Sequence, residues 1–310
     1  MSDPPPYPPP PAEPPTGFVP ARNTVTQYRT PRSFWAIIAA VVAVVVVLVA
    51  IAGYTVAGYA FTSSRISDAS GAIITANAHR VYVNTTFDLL DQQVAAFTGS
   101  ADLATAKGSA AQVVNQSQTM GSTESGDDLA IASVRARLND QQWLTSLNRG
   151  RLSAEANRLD HARKAVDTAR TAAGDYAQLG QFLQAFVQVL SDWDTLTTDA
   201  GNNDFVGAAS ADKSLQTDVV TALGATSAPG LPAEFHDYLI ALQSYSIDVG
   251  KALNAIVAHD KAALDAANQL VRADTAKLDV IDFSGSPTQI KSYYQRFRDD
   301  FNSEMDKATA

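Results

Sequence analysis

Metal ligation and acid–base catalysis draw on few residue types, and this chain is sparing with them. Beyond residue 61 it has four histidines, His79, His161, His236 and His259, and four glutamates, Glu124, Glu155, Glu234 and Glu304. A zinc site on a helix sets two histidines four residues apart on one face. These histidines come singly, three of them beside an aspartate, and read as solvated surface residues rather than ligands. A di-iron bundle needs glutamates on four facing helices with Glu-x-x-His pairs, and no glutamate here has a histidine three residues on. Cysteine is absent, so thiolate metal sites and disulfides are excluded. No G-x-S-x-G, Walker A or G-x-G-x-x-G string occurs to build a nucleophile elbow or a phosphate cradle. The sequence therefore nominates no catalytic, cofactor-binding or metal-binding residue, and the expectation is a protein that is not an enzyme and carries no cofactor. Two glycosylation sequons, at Asn84 and Asn115, matter only in a pathway that modifies them.

The element that organises the rest is Phe34 to Phe61, which has no charged residue and is almost pure Val, Ala, Ile and Leu from Ala36 to Ala52. About 20 apolar residues in a helix cross a hydrocarbon core roughly 30 Å thick. The chain of 310 residues thus divides into a tail (1–33), a transmembrane helix (34–61) and a domain (62–310). The tail carries PPPYPPPP at Pro4 to Pro11 and reads as disordered or polyproline II. Its arginines, Arg22, Arg29 and Arg32, lie close before the span, whereas Arg65 alone follows closely, beside Asp68. By the positive-inside rule the N-terminus is cytoplasmic and the C-terminal domain extracytoplasmic. Phe34 and Trp35 on one side, with Tyr54 and Tyr59 on the other, suit the two interfaces. Gly58-Tyr59-Ala60 has the small residues of a signal-peptidase site, but the apolar run is longer than a signal peptide's and its leading tail is too long, so an uncleaved signal-anchor is expected.

Taking the tail's three arginines and two acids from totals of 23 basic and 32 acidic residues leaves 20 against 30 beyond the span. An acidic domain is a poor partner for phosphate backbones, so no nucleic-acid binding is expected. The domain's periodicity is helical, with no alternating β-branched runs. The spacing predicts a first helix to about Phe97, a weaker one from Ala101 to about Met120, and a loop at GSTESGDD, Gly121 to Asp128. A long helix is expected from Asp127 to about Ala173, with Leu152, Leu159 and Val166 seven apart. Gly174, Asp175 and Gln178 resemble a C-cap and capping box, which predicts a turn. Against that turn, the four-three seam Ala172, Tyr176, Leu179, Leu183, Phe186, Leu190, Trp193 runs straight through it.

A modest helix is expected over Phe205 to Leu223, then a linker at Pro229-Gly230-Leu231-Pro232. The seam Phe235, Leu239, Leu242, Ser246, Val249, Leu253, Ile256 predicts a coiled-coil-type helix continuing to about Ile281. After a turn at Ser284 to Pro287, a last helix presents Ile290, Tyr294, Phe297, Phe301 and Met305, expected to pack antiparallel on that seam. LDHARKAV from Leu159 echoes LDAANQLV from Leu264, each followed by an aromatic helix, which suggests two related three-helix units. The fold expected is all-α: a transmembrane helix, then an antiparallel helical bundle. The function expected is a single-pass membrane-anchored interaction or scaffold protein. Its partners would be the bilayer through 34–61 and another membrane or exported protein, and the seams also admit a homo-oligomer. The alternative is a ligand-sensing helical bundle. With only a 33-residue tail for output, it would signal through a partner or by modification of Thr24, Thr26, Thr30 or Ser33.

Overall fold

A computed structural model describes residues 32–99, 102–138, 140 and 145–310. Among them are seven α-helices, α1 (Arg32–Gly99), α2 (Leu103–Leu138), α3 (Arg149–Gly201), α4 (Phe205–Gly224), α5 (Ala233–Val257), α6 (Lys261–Leu278) and α7 (Ser286–Thr309), with a 3₁₀ turn at Ser146–Asn148 and no strand. The expected disorder or polyproline II of the tail, apart from its last two residues in α1, lies outside the described residues, as do the side chains of Phe34 and Trp35. The chain divides into two compact units, Met1–Gly53 and Tyr54–Ala310. In the first, Val42 to Ile51 are exposed apolar residues of α1. An 18-residue window of this helix reaches a mean hydropathy of 2.3 with only 6% of it buried, so α1 is long and apolar enough to cross a membrane.

The second unit is built around α3, a 53-residue helix that rises roughly 80 Å. Its first half packs with α2, α7 and the part of α1 beyond Gly53. Cross-links fix the directions. His79 meets Asp127 while Asp68 meets Arg137, so α1 and α2 are antiparallel. Arg135 holds Asp160 and Arg163 holds Asp128, so α2 and α3 are antiparallel too. Helix α7 returns between α1 and α3, with Arg80 on Asp306 and Arg298 on Asp88 along one side, and His161 on Glu304 along the other. The second half of α3 serves a different set, α4 and then α5, whose rings Phe235 and Tyr238 reach Phe186. Helix α6 folds back on α5 alone among the described helix pairs.

Several expectations need correction. Gly121 to Asp128 is not a loop but the middle of α2. Ser122 and Thr123 donate back to the Thr119 carbonyl and Ser125 to that of Gly121, which removes the hydroxyls' competition with the helix. Glu124 and Asp127 turn inward, and Asp128 binds Arg163 and Arg170 of α3. The break falls instead after Leu138, where Asp140 donates to the Arg137 carbonyl at 3.2 Å, so no single helix runs from Asp127 to Ala173.

The turn at Gly174 does not exist: Gly174 is exposed within α3, and Asp175 accepts a 2.9 Å bond from the Tyr293 hydroxyl rather than capping a helix. The continuous seam was the better guide, because one long helix can bury it against two successive sets of partners.

The coiled-coil-type helix from Phe235 ends at Val257. His259 there takes a positive φ of 55°, and Asp260 caps α6 by accepting from Ala263 N–H at 3.0 Å. Helix α7 packs on α3 and α1, and among the described helix pairs α5 contacts α4 and α6 but not α7. The seven residues between α6 and α7 are long enough to carry the chain away from α5. Nor are there two equivalent units. LDHARKAV and the aromatic seam after it share α3, whereas LDAANQLV lies on α6, which is mostly exposed, and its aromatic successor is the separate α7.

Candidate ligand-binding groove

Where α3 passes from its first set of partners to its second, large apolar side chains from four segments converge, with Leu103 and Ala106 of α2 beside them. Phe97 comes from the end of α1's four-three pattern, Phe186, Leu190 and Trp193 from α3, Phe235 and Tyr238 from the first turns of α5, and Phe283 from the α6–α7 connection. All but Phe283 belong to the apolar face their helix must bury. At the junction the rings line a groove of about 500 Å³ instead of closing the core. The rings brace one another. Phe186 meets Phe235 edge-to-face at 5.5 Å and Tyr238 at 6.0 Å, Phe235 lies 4.9 Å from Phe283, and Trp193 rests 5.0 Å from Tyr245. Such pairs add about 0.5–1.5 kcal/mol each beyond their buried area, so the groove is pre-formed.

Among the described residues its polar groups are Thr98, Asp102, Asp194 and Ser286, with the Tyr238 hydroxyl and the Trp193 indole N–H carried by two of the rings. Asp102 caps α2, accepting from the Thr105 hydroxyl at 2.6 Å and the Thr105 N–H at 2.9 Å, and these bonds hold its carboxyl below the usual range. Ser286 opens α7. Its N–H donates to the Phe283 carbonyl at 3.0 Å, but its Oγ, on a residue only 2% exposed, has no hydrogen-bond partner among the described residues. Buried hydroxyls are almost always partnered.

The chemistry-bearing residues singled out in the sequence lie elsewhere and do not converge. His79 pairs with Asp127 at 2.7 Å, His161 with Glu304 at 2.7 Å, and His236 with the Thr226 hydroxyl at 3.0 Å, while His259 sits exposed in the α5–α6 turn. Glu155 binds Arg158, and Glu234 lies in the first turn of α5. Among the described residues no three His, Asp or Glu side chains gather as metal ligands would. Asn84 of the first sequon is engaged with Asn302 and Arg298 of α7, whereas Asn115 of the second is exposed on α2.

Glu124 is the unusual acid. It is 1% exposed, its Oε1 has no partner among the described residues, and burial, then the neighbouring Asp127 charge, push its carboxyl up to about 7 against the opposing pull of His79.

Sequence reasoning missed the groove because its rings are dispersed over four segments, and those on helices each read as core. Ser286 read as a turn residue. No family model, curated protein or solved structure matches this chain.

Proposed function

We propose that this protein is a single-pass membrane-anchored helical interaction or scaffold module, with its tail in the cytoplasm and its bundle outside. The observation that carries the reading is α1. Its apolar stretch is exposed rather than packed, as a span facing lipid would be, and the same helix runs on through Gly58-Tyr59-Ala60 to Thr62, Ala69 and Ile73, which are buried in the bundle. A helix anchored in the core just after those small residues supports an uncleaved anchor over a signal peptide. The arginines before the span support the orientation. A docking role for the bundle is supported by Ile240 and Ile247, one heptad apart on α5, which stay largely exposed. The test is protease treatment of spheroplasts with antibodies against the tail and the bundle. Digestion of the bundle with protection of the tail is expected; a protected bundle, or mature protein starting near Phe61, would overturn the reading.

The second reading, a ligand-sensing bundle that signals through a partner, is favoured by the aromatic groove. Scaffold contacts need no pre-formed cavity of that size walled by braced rings.

A further inference from the structure

We infer that the groove between α1, α3 and α5 binds a compact aromatic molecule that bears a hydroxyl or carbonyl group and no negative charge. The inference rests on the ligand-sensing reading and names its ligand class. Size comes first: about 500 Å³ admits one or two fused rings with substituents, not a folded peptide. The ring-lined walls favour a flat apolar body through stacked and edge-on contacts.

Charge decides the rest. Two carboxylates, Asp102 and Asp194, border the groove, and among the described residues it is lined by no lysine, arginine or histidine. Asp102 is ionised at neutral pH, held so by its Thr105 bonds. The N-termini of α2 and α7 open nearby and would attract an anion. However, α2's end is already occupied by the Asp102 carboxylate, and the Ser286 N–H is taken by the Phe283 carbonyl. A carboxylate or phosphate ligand would enter beside two like charges with no cation to meet it.

Ser286 supplies the polar contact. Its Oγ is closed off from solvent in the empty groove and lacks a partner among the described residues, so a rotation of the side chain on ligand entry would bring it to a polar atom of the ligand without disturbing any existing bond. A flexible acyl chain would gain little from the rings and would leave Ser286 unsatisfied.

The experiment is calorimetric titration of the full chain in nanodiscs, with empty nanodiscs subtracted. The probes are 2-naphthol, naphthalene and 2-naphthoate, which share a ring system and differ in polar group and charge. Expected is binding in the order 2-naphthol, naphthalene, 2-naphthoate, with the anion at least about tenfold weaker than the naphthol. Ser286→Ala should weaken 2-naphthol about fivefold and leave naphthalene unchanged. Asp194→Lys, at an exposed position, should restore the anion, and Leu190→Trp should fill the groove and block all three while leaving the helical circular dichroism intact. Naphthoate binding as well as naphthol would refute the ligand class while keeping the groove as a site. Binding of no probe, or binding insensitive to Leu190→Trp, would refute the groove itself. Equal response of naphthol and naphthalene to Ser286→Ala would refute the hydroxyl contact.

Discussion

Replacing Glu124 with glutamine should make the bundle more stable at alkaline pH and alter it little in acid. Glu124 sits at 1% exposure in α2 with one carboxylate oxygen unpartnered, and its carboxyl is raised from 4.5 to about 7. The folded state therefore holds a proton that the unfolded chain releases near its ordinary value. A raised folded-state value means that the stabilisation linked to this proton is fully present below about pH 4.5 and is lost as pH climbs through 7. A gap of about 2.5 pH units at 1.36 kcal/mol per unit gives a loss of about 3 kcal/mol across that window. Glutamine has nearly the same shape and no charge to desolvate, so its stability should not follow the same slope. Its amide, like the protonated carboxyl, leaves a polar atom unmet, so the two proteins should be nearly equal at pH 4 and differ by about 3 kcal/mol at pH 8. The assay is urea unfolding of the detergent-solubilised full chain, followed by helical circular dichroism from pH 4 to 8.5. Asp192 also titrates in this range, pushed up to about 6 by burial and by the neighbouring Asp218 carboxyl, but it is common to both proteins and cancels in the difference. Parallel stability curves for wild type and Glu124→Gln would refute the reasoning.

Two further outcomes follow from packing. A Cβ on Gly180 would stand 2.7 Å from Val114 Cγ2 and 3.0 Å from the Val114 backbone nitrogen, so Gly180→Ala should cost about 1–3 kcal/mol in urea unfolding despite alanine's helix propensity. Gly174→Ala, with nothing within 4 Å, should instead stabilise by up to about 1 kcal/mol. Leu242 is 1% exposed, so Leu242→Ala should lower the bundle's stability by about 2–5 kcal/mol. An unchanged melting temperature with loss of self-association on a sizing column would make that seam an oligomer contact instead.

The sequence by itself determined that the bundle is helical and which residues face inward. Leu152, Leu159, Val166, Tyr176, Leu179 and Leu183 are buried along α3, as their spacing required, and Leu239, Leu242, Ile290, Tyr294 and Phe301 are buried likewise. That information is local, since a helical face is set by a 3.6-residue period and by the need to remove apolar surface from water. The apolar stretch within α1, the α4 boundaries and the Pro229–Pro232 connection were legible for the same reason.

Tertiary structure decided where helices stop and which faces meet. Gly174 and the GSTESGDD segment carry the composition of turns, yet both are helical. Their neighbours on α1, α3 and α7 supply contacts worth more than a glycine's propensity deficit of about 1 kcal/mol. In the other direction, His259 and Asp260 end α5 with little warning in the sequence, at a left-handed residue that the α5–α6 hairpin holds in place. The groove is the clearest case. Phe97 and Phe283 are 186 positions apart in the chain, and nothing in the local pattern of either says that it shares a wall with the other or leaves room beside it. Spacing along a helix records that a side chain must be buried; only the packing of all the helices determines what buries it, and where the rings stop short of closing.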